Sequence, residues 1–265
     1  LMGIIKQMIN IINENKESNY LIICDHASNF IPKEFDNLGL DKGVLDTHVA
    51  YDIGAKEVAL NLSNLIKCPL IISNFSRLLI DVNRGIDDPT LIMKISDGNI
   101  INGNKNLSFF NESDDREERI NNYYNHYHKK ISDLIKKSTQ KNIYPAIISI
   151  HSFTPFWGNK KRQTELGILW DKDYRLPNIF FKYFADQTQF NIGNNDPYVG
   201  YLKNDSLYKH ATLQGLPNIL LEFRQDLISD QDRQKKMAQI ISEVLINNIN
   251  NTWLFKRVFF GSRTD

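Results

Sequence analysis

Two histidines and one glutamate stand at the ends of short apolar runs, where a chain could bring them together for chemistry. His26 and His151 each follow such a run, and Glu222 is the last residue of another. Two histidines with one oxygen ligand are a common zinc set in enzymes, in which a further position stays open for water. One histidine in such a place could be purely structural, but the repetition favours a metal-dependent site.

Two arginines offer a second kind of chemistry. Arg77 and Arg84 flank a short stretch that contains Asp81. Arginine binds carboxylates through two parallel hydrogen bonds, so either residue is a candidate for substrate recognition. The alternative for each is a structural ion pair with Asp81 or Asp87. A metal beside a carboxylate-binding arginine would suit the hydrolysis of an amide that lies next to a free carboxyl group.

The composition excludes several classes of partner. The chain of 265 residues carries 32 Lys and Arg against 31 Asp and Glu, so its formal net charge is +1. Such a balance provides no broad cationic surface for nucleic acid or for an anionic membrane. No apolar run approaches the roughly 20 residues that span a bilayer. Only two cysteines are present and no signal-peptide pattern is found, which predicts a cytoplasmic protein.

A framework of strands and helices must position these residues. Four β-branched apolar runs are too short for helices and predict buried strands at 20–24, 69–73, 146–150 and 218–222. Helical spacing of apolar residues predicts helices at 51–66, 117–137, 176–189 and 230–248. Such alternation predicts an α/β fold, a mostly parallel mixed sheet flanked by helices on both faces, in one domain over 1–265. In such sheets, ligands bind beyond the carboxyl ends of the strands.

Three segments lie outside that framework. Apolar residues within 1–15 predict an amphipathic helix or a short strand pair in an N-terminal extension, residues 1–18. The irregular stretch from 87 to 108 is long enough to form a wall or a lid. The tail, residues 250–265, is rich in aromatic and cationic side chains. It predicts an edge strand, a contact in a homodimer or a disordered end.

Other reactive side chains have simpler explanations. His128 falls on the apolar face of its helix, which favours a hydrogen-bonded histidine at the edge of the core, and His126 lies off that face. His210 is expected in a loop before the last strand, either within reach of the substrate or capping a helix end. Ser152 lacks the G-x-S-x-G turn that presents a serine nucleophile.

Seven stretches of sequence share a pattern that continues in order along the chain. They are Asp25–Pro32, Asp46–Ala55, Ser76–Arg84, Ser149–Pro155, Gly167–Trp170, Asn195–Tyr198 and Leu221–Leu227. Together they resemble the N-formylglutamate amidohydrolase family, which is similar in fold to the zinc carboxypeptidases and the aspartoacylases. The resemblance implies a zinc-carboxypeptidase-like (phosphorylase/hydrolase-like) architecture. It also implies hydrolysis of the amide bond of an N-acyl amino acid, such as N-formylglutamate, through a zinc-activated water.

The resemblance further implies roles for individual residues. His26 and His151 would bind one Zn²⁺ per chain, and Glu222 would be the catalytic base. Arg77, also catalytic, would lie near the carbonyl oxygen of the substrate. The implied substrate-binding residues are Asn83, Arg84, Arg224 and Tyr198. The expected partner is a small amide that bears a carboxylate, rather than nucleic acid or a membrane.

The sequence leaves the third metal ligand open. The wider group has an acidic residue three positions after the first histidine, where this chain has Asn29, whose neutral amide is a weaker ligand. His48 or Asp52 could take its place, although His48 could equally belong to a helix start capped by Asp46. The neutral Asn29 also supports an alternative hypothesis. The chain would then be a catalytically idle binding module of the same fold that binds a carboxylate-bearing small molecule.

Overall fold

The computed structural model of the protein describes residues 8–107, 114–185 and 190–265. The strands among these residues are β1 (Ile9–Ile12), β2 (Tyr20–Cys24), β3 (Leu70–Ser73), β4 (Ile95–Ser96), β5 (Asn99–Ile100), β6 (Ala146–Phe153), β7 (Phe156–Trp157), β8 (Lys160–Lys161), β9 (Leu166–Leu169), β10 (Ile192–Asn194) and β11 (Asn218–Arg224). Seven of them form one sheet in the order β1-β3-β2-β6-β11-β9-β10, and the β4–β5 and β7–β8 pairs form two small hairpins.

The sheet is mixed, with a parallel centre. β3, β2, β6 and β11 run parallel to one another, whereas β1 pairs antiparallel with β3 and β9 pairs antiparallel with β11. The helices are α1 (Lys42–Leu45), α2 (Ala55–Ile66), α3 (Asp114–Arg119), α4 (Asn125–Thr139), α5 (Arg175–Ala185), α6 (Ser206–His210) and α7 (Gln231–Ile246). The α/β fold class expected from the sequence is confirmed.

The side chains of the central strands alternate between two apolar layers. In β2, Ile22 and Cys24 pack in the layer that contains α2, α5 and α7, whereas Leu21 and Ile23 pack in the layer that contains α4. All five residues of β2 are buried, as expected for a parallel strand covered on both faces. With both faces covered by helices, the ends of the strands are the part of the sheet that remains open to ligands.

The helix expected from residue 51 begins only at Ala55. Gly54 precedes it with a φ of +80°, a left-handed conformation that glycine adopts without steric cost. The backbone N–H of Asp52 meanwhile donates to the carbonyl oxygen of His26 at 2.8 Å. Residues 51–54 therefore form a tight connection that fixes Asp52 beside His26 instead of a first helical turn.

The other predicted helices are present with different ends. The pattern at 117–137 corresponds to α3 and α4 joined by a π-helical segment, Ile120–Tyr124. The pattern at 176–189 corresponds to α5, and residues 186–189 lie outside the described residues. The pattern at 230–248 corresponds to α7. Within the described part of the chain, no helix is both long and apolar enough to span a membrane.

The N-terminal segment contributes a strand to the sheet, whereas the C-terminal tail does not. Residues 1–7 lie outside the described residues, and β1 is an edge strand rather than part of a helix. The tail, residues 250–265, does not extend the sheet, because β1 and β10 already occupy its two edges. Phe255 packs edge-on against Tyr20 instead, with ring centroids 5.3 Å apart.

The irregular stretch after β3 contains the β4–β5 hairpin. Its turn residues Asp97 and Gly98 have φ values of 45° and 78°, as tight hairpin turns require. Met93 and Ser96 of this stretch line the cavity described below, so it forms a wall there. Ser108, at its predicted end, lies outside the described residues.

A buried pair of histidines joins α4 to α6. His128 Nδ1 lies 2.8 Å from His210 Nε2, and the two rings are stacked with centroids 5.0 Å apart. His210 therefore lies on a short helix against the core, not in a loop. Burial lowers the pKa of His128 to about 4 and that of His210 to about 3. Both rings are neutral in the folded protein at neutral pH.

This pair should make the folded state sensitive to mild acid. In the unfolded chain each ring titrates near about 6.5, so below that pH the unfolded state gains protons that the folded state does not. The free energy of unfolding should then fall by up to about 1.4 kcal/mol per pH unit for each ring. Urea unfolding at pH 7, 6 and 5 with a chelator present should show a shallower pH slope for His210→Gln. An unchanged slope would contradict the assignment.

Gly54 should be required for the connection that holds Asp52. A Cβ at this position would lie 2.5 Å from the carbonyl oxygen of Ile228, in addition to the cost of a positive φ. Gly54→Ala should lower the free energy of unfolding by about 3 kcal/mol in urea denaturation. Gly98→Ala is the matched control, because its φ is +78° and nothing lies within 4 Å of the added Cβ. It should cost about 1 kcal/mol, and equal losses would refute the proposed clash.

Candidate active site

A cavity of about 540 Å³ opens at the edge of the sheet where the parallel strands end. His26 follows β2, and Arg77 and Asp81 follow β3. His151 and Glu222 each lie two residues before the last residue of their strands, β6 and β11, and are register partners across these neighbouring strands. The cavity therefore lies where the sequence pattern places a site.

Three potential metal ligands converge at the floor of this cavity. His26 Nδ1 lies 3.5 Å from Asp52 Oδ2, and His151 Nδ1 lies 2.8 Å from the same oxygen. The ligand atoms of the three residues are all within 4.8 Å of one another, and all three side chains are buried. We refer to His26, Asp52 and His151 as the ligand cluster.

The other nitrogen of each imidazole faces an oxygen. His26 Nε2 lies 2.7 Å from Asp81 Oδ1, and His151 Nε2 lies 2.9 Å from Ser149 Oγ and 3.7 Å from Asp25 Oδ2. Metal-binding histidines usually have such a partner behind them, which fixes the ring and its tautomer. This arrangement turns the Nδ1 atoms of both rings toward Asp52, and Arg77 Nη2 also contacts His26 Nδ1.

The carboxylates around the ligand cluster stabilise positive charge, which the side chains of Arg77 and His151 carry in this structure. Burial disfavours the charged form of Asp52, but Arg77 and His26 outweigh it and hold its pKa well below the usual value. Burial also disfavours a charged His151, but Asp25 and Asp52 raise its pKa to about 10. Two imidazole nitrogens and one carboxylate oxygen in a dry setting are a donor set that fits Zn²⁺.

The three candidates for a third ligand lie in different places in the structure. Asp52 belongs to the ligand cluster, whereas Asn29 and His48 are not brought to it. The Asn29 amide donates to the carbonyl oxygen of Leu45 at 3.0 Å. His48 is at the surface with its Nε2 3.1 Å from Asp97 Oδ2. The cluster thus contains a carboxylate even though position 29 is neutral.

Glu222 lies beside His151 with an unused oxygen. Its Oε2 is buried and has no hydrogen-bond partner among the described residues. Burial raises the pKa of Glu222 to about 7, against the opposing charge of His151. A carboxylate with a pKa near neutrality can accept a proton and return it, as a general base must.

Arg77 is held against the ligand cluster. Its Nη1 lies 3.4 Å from Asp52 Oδ1, its Nε lies 4.0 Å from Asp81 Oδ2, and its Nη2 contacts the ring of His26. The alternative of a structural ion pair thus applies to Arg77. The residue also lines the cavity, so both interpretations of the sequence are compatible with its position.

Arg84 and Asn83 both line the cavity, and a hydrogen bond joins the Arg84 side chain to the Asn83 backbone. Arg84 Nη1 donates to the Asn83 carbonyl oxygen at 2.9 Å, and no carboxylate of the described residues lies within 4.0 Å of its guanidinium. Asp87, an alternative partner in the sequence, accepts a hydrogen bond from Asn204 at 3.0 Å. Arg84 therefore lines the cavity without a direct ion-pair partner among the described residues, although the charges of Asp81 and Asp205 act on it from a greater distance.

Arg224 and Tyr198, both predicted to bind substrate, have different surroundings. Arg224 is buried, lies 2.7 Å from Asp226 and 3.0 Å from Glu165, and is not part of the cavity lining. Arg224 is thus already paired with two carboxylates, and it links neighbouring segments of the chain instead of facing the cavity. Tyr198 lines the cavity, and its hydroxyl accepts a hydrogen bond from Arg162 at 2.8 Å.

Four residues near the cavity were not anticipated as site residues. Asp25 and Asp81 belong to the stretches that resemble the family, so the resemblance could have pointed to them. Asp205 lines the cavity and caps α6 by accepting the Tyr208 backbone N–H at 2.7 Å. Burial raises the pKa of Asp205 to about 7. Its capping pattern predicts a helix start but not a place in a cavity, and Arg162 has no sequence signal.

Comparisons with known proteins identify the family and support the fold. The sequence profile of the N-formylglutamate amidohydrolase family matches residues 18–229. The crystal structure of gene product Atu2144 from Agrobacterium tumefaciens is 31% identical with a TM-score of 0.86, over 92% of this chain and 95% of that chain. The N-formylglutamate amidohydrolase from Ralstonia eutropha JMP134 is 17% identical with a TM-score of 0.66, over 92% of this chain and 98% of that chain, and supports the fold.

No curated protein sequence matches the chain. The family profile nevertheless covers most of its length, including the whole ligand cluster and Glu222. The chain therefore belongs to the N-formylglutamate amidohydrolase family.

Proposed function

We propose that the protein is a zinc-dependent hydrolase of the amide bond of N-acyl amino acids, with N-formylglutamate as the leading substrate. The observation that carries this proposal is the ligand cluster, which lies in one cavity with Glu222, whose Oε2 has no hydrogen-bond partner among the described residues, and with Arg84, which has no ion pair among them. Membership of an amidohydrolase family supports the same type of reaction.

His26, Asp52 and His151 would hold one Zn²⁺ per chain. A zinc ion bound there would polarise the substrate carbonyl and lower the pKa of a water molecule. Asp81 and Ser149, which contact the Nε2 atoms of the two histidines, would keep both rings oriented toward the metal.

Glu222 would move the proton. It accepts a proton from water as the water oxygen attacks the carbonyl carbon of the amide. It then returns this proton to the amide nitrogen as the C–N bond breaks, which yields a carboxylic acid and a free amine. A pKa of about 7 suits both steps, because neither protonation state is strongly disfavoured near neutral pH.

The arginines would orient the substrate and stabilise charge. Arg77 lies beside the ligand cluster, where it would stabilise the negative charge that develops on the carbonyl oxygen. Arg84 and Asn83 would bind the substrate carboxylate. Tyr198 would cover the mouth of the cavity. Because the cluster already includes the carboxylate of Asp52, the neutral Asn29 no longer favours an idle binding module.

The role of Glu222 can be separated from metal binding. Glu222→Gln should retain zinc by elemental analysis while the rate of N-formylglutamate hydrolysis falls by roughly 100- to 1000-fold, because the proton acceptor is lost. Glu243→Gln is the control, since Glu243 is a surface carboxylate that accepts a hydrogen bond from the Tyr183 hydroxyl at 2.8 Å and does not line the cavity. Retained activity in Glu222→Gln would exclude the assigned base.

The identity of the third ligand can be tested directly. Asp52→Asn should weaken zinc binding by more than about 100-fold in chelator competition, because a charged ligand at the centre of the cluster is removed. His48→Gln should leave zinc affinity unchanged, since His48 contacts Asp97 at the surface. The opposite pattern would assign the third ligand to His48. Replacing His26 and His151 together with Ala should abolish zinc binding.

A further inference from the structure

Arg162 occupies an unusual position beside the cavity. It follows β8, and its backbone N–H closes the β7–β8 hairpin by donating to Pro155 O at 2.9 Å. Its guanidinium carbon lies 5.3 Å from the Phe153 ring centroid, 5.3 Å from that of Trp157 and 5.1 Å from that of Tyr198. Stacking on aromatic rings holds an arginine in place without neutralising it.

Arg162 forms no ion pair with a carboxylate of the described residues. Among the described residues, no carboxylate oxygen lies within 4.0 Å of its guanidinium, and its only side-chain hydrogen bond is the one from Nη1 to the Tyr198 hydroxyl. Nε and Nη2 remain available as donors. Arg224 nearby is the opposite case, with carboxylates of both Glu165 and Asp226 against it.

Arg162 is close enough to influence the catalytic region. The guanidinium does not itself line the cavity, but it lies 5.1 Å from the ring centroid of a residue that does, Tyr198. Its hydrogen-bond partner Tyr198 lines the cavity itself. A ligand that extends from the ligand cluster past Tyr198 would therefore meet the free donors of Arg162.

The surrounding backbone keeps this arginine in place. Arg224 Nη1 donates to the carbonyl oxygen of Arg162 at 3.0 Å, so the buried Arg224 holds the backbone of Arg162 in position. The loop of its partner Tyr198 is also fixed, because Asn195 Oδ1 accepts the backbone N–H groups of Trp170 and Gly200, both at 2.9 Å. Recognition groups supported in this way bind with little loss of entropy.

We propose that Arg162 determines substrate specificity by binding the side-chain carboxylate of a dicarboxylic N-acyl amino acid, while Arg84 binds its α-carboxylate. This inference rests on the proposed function and adds to it the residue that recognises the side chain of the substrate. Arg77 is already engaged by Asp52 and Asp81, whereas Arg84 and Arg162, also beside the cavity, form no ion pair within 4.0 Å among the described residues. A planar guanidinium matches a carboxylate through two parallel hydrogen bonds.

The test compares two substrates of nearly equal shape, N-formylglutamate and N-formylglutamine, which differ in the charge of the side chain. The zinc-loaded wild-type protein should prefer N-formylglutamate. Arg162→Gln should lower the ratio of the two kcat/KM values by about 30-fold, because a charge-assisted hydrogen bond is lost. The change should appear mainly in KM for N-formylglutamate. Arg162→Lys retains the positive charge but not the planar guanidinium, so its ratio should lie between those of the wild-type protein and Arg162→Gln.

Arg257→Gln is the matched control. Arg257 also stacks on an aromatic ring, with its guanidinium carbon 5.2 Å from the Phe259 centroid, but Phe259 does not line the cavity, whereas Tyr198, the partner of Arg162, does. Its replacement should leave the substrate ratio unchanged. If Arg162→Gln lowers kcat/KM equally for both substrates, or leaves the ratio unchanged, Arg162 is not a specificity residue and the proposed hydrolase function stands.

Binding measured without turnover separates this inference from the proposed function. Calorimetric titration of the Glu222→Gln protein should show tighter binding of N-formylglutamate than of N-formylglutamine, and a second change, Arg162→Gln, should remove the preference. A wild-type protein that hydrolyses neither substrate would refute the proposed function. The titration would still decide the role of Arg162, since equal affinities before and after the second change would overturn it.

Discussion

The buried carboxylate of Asp52 is the group on which the arrangement of the site depends. Its Oδ2 lies 2.8 Å from His151 Nδ1, 3.5 Å from His26 Nδ1 and 3.3 Å from the backbone nitrogen of Ser152. A buried negative charge is tolerated only where surrounding groups compensate it, so the segments after β2 and before α2 must meet the end of β6 at this point. The cavity, the unpartnered Glu222 and the position of Arg77 follow from this meeting.

The centre of the fold was predictable from the sequence and its margins were not. Burial on both faces leaves a local record in runs such as Tyr20–Cys24, and those runs became the parallel strands. β9 and β10 are short, and their place in the sheet depends on β11 pairing with β9 in the antiparallel direction. Such pairing is a property of two distant segments, which periodicity within one segment does not record.

The site shows the same division. His26, His151 and Glu222 were predictable because strand ends of a parallel sheet meet at one edge. The choice of Asp52 over His48 depends on the path of a single loop, which the hydrogen bond from the Asp52 backbone to His26 decides. Whether an arginine is compensated is likewise a tertiary property: Arg224 meets Glu165, which is 59 residues away in sequence.

The antiparallel direction of β9 has a consequence for how this fold can diverge. β6 ends and β9 begins at the same edge of the sheet, so the connection 154–165 crosses neither face and stays beside the cavity. It carries the β7–β8 hairpin but no member of the ligand cluster. Surface connections accept insertions and substitutions more readily than strands do. Evolution can therefore reshape what enters the cavity by rewriting one hairpin, while the sheet and its ligands are inherited unchanged.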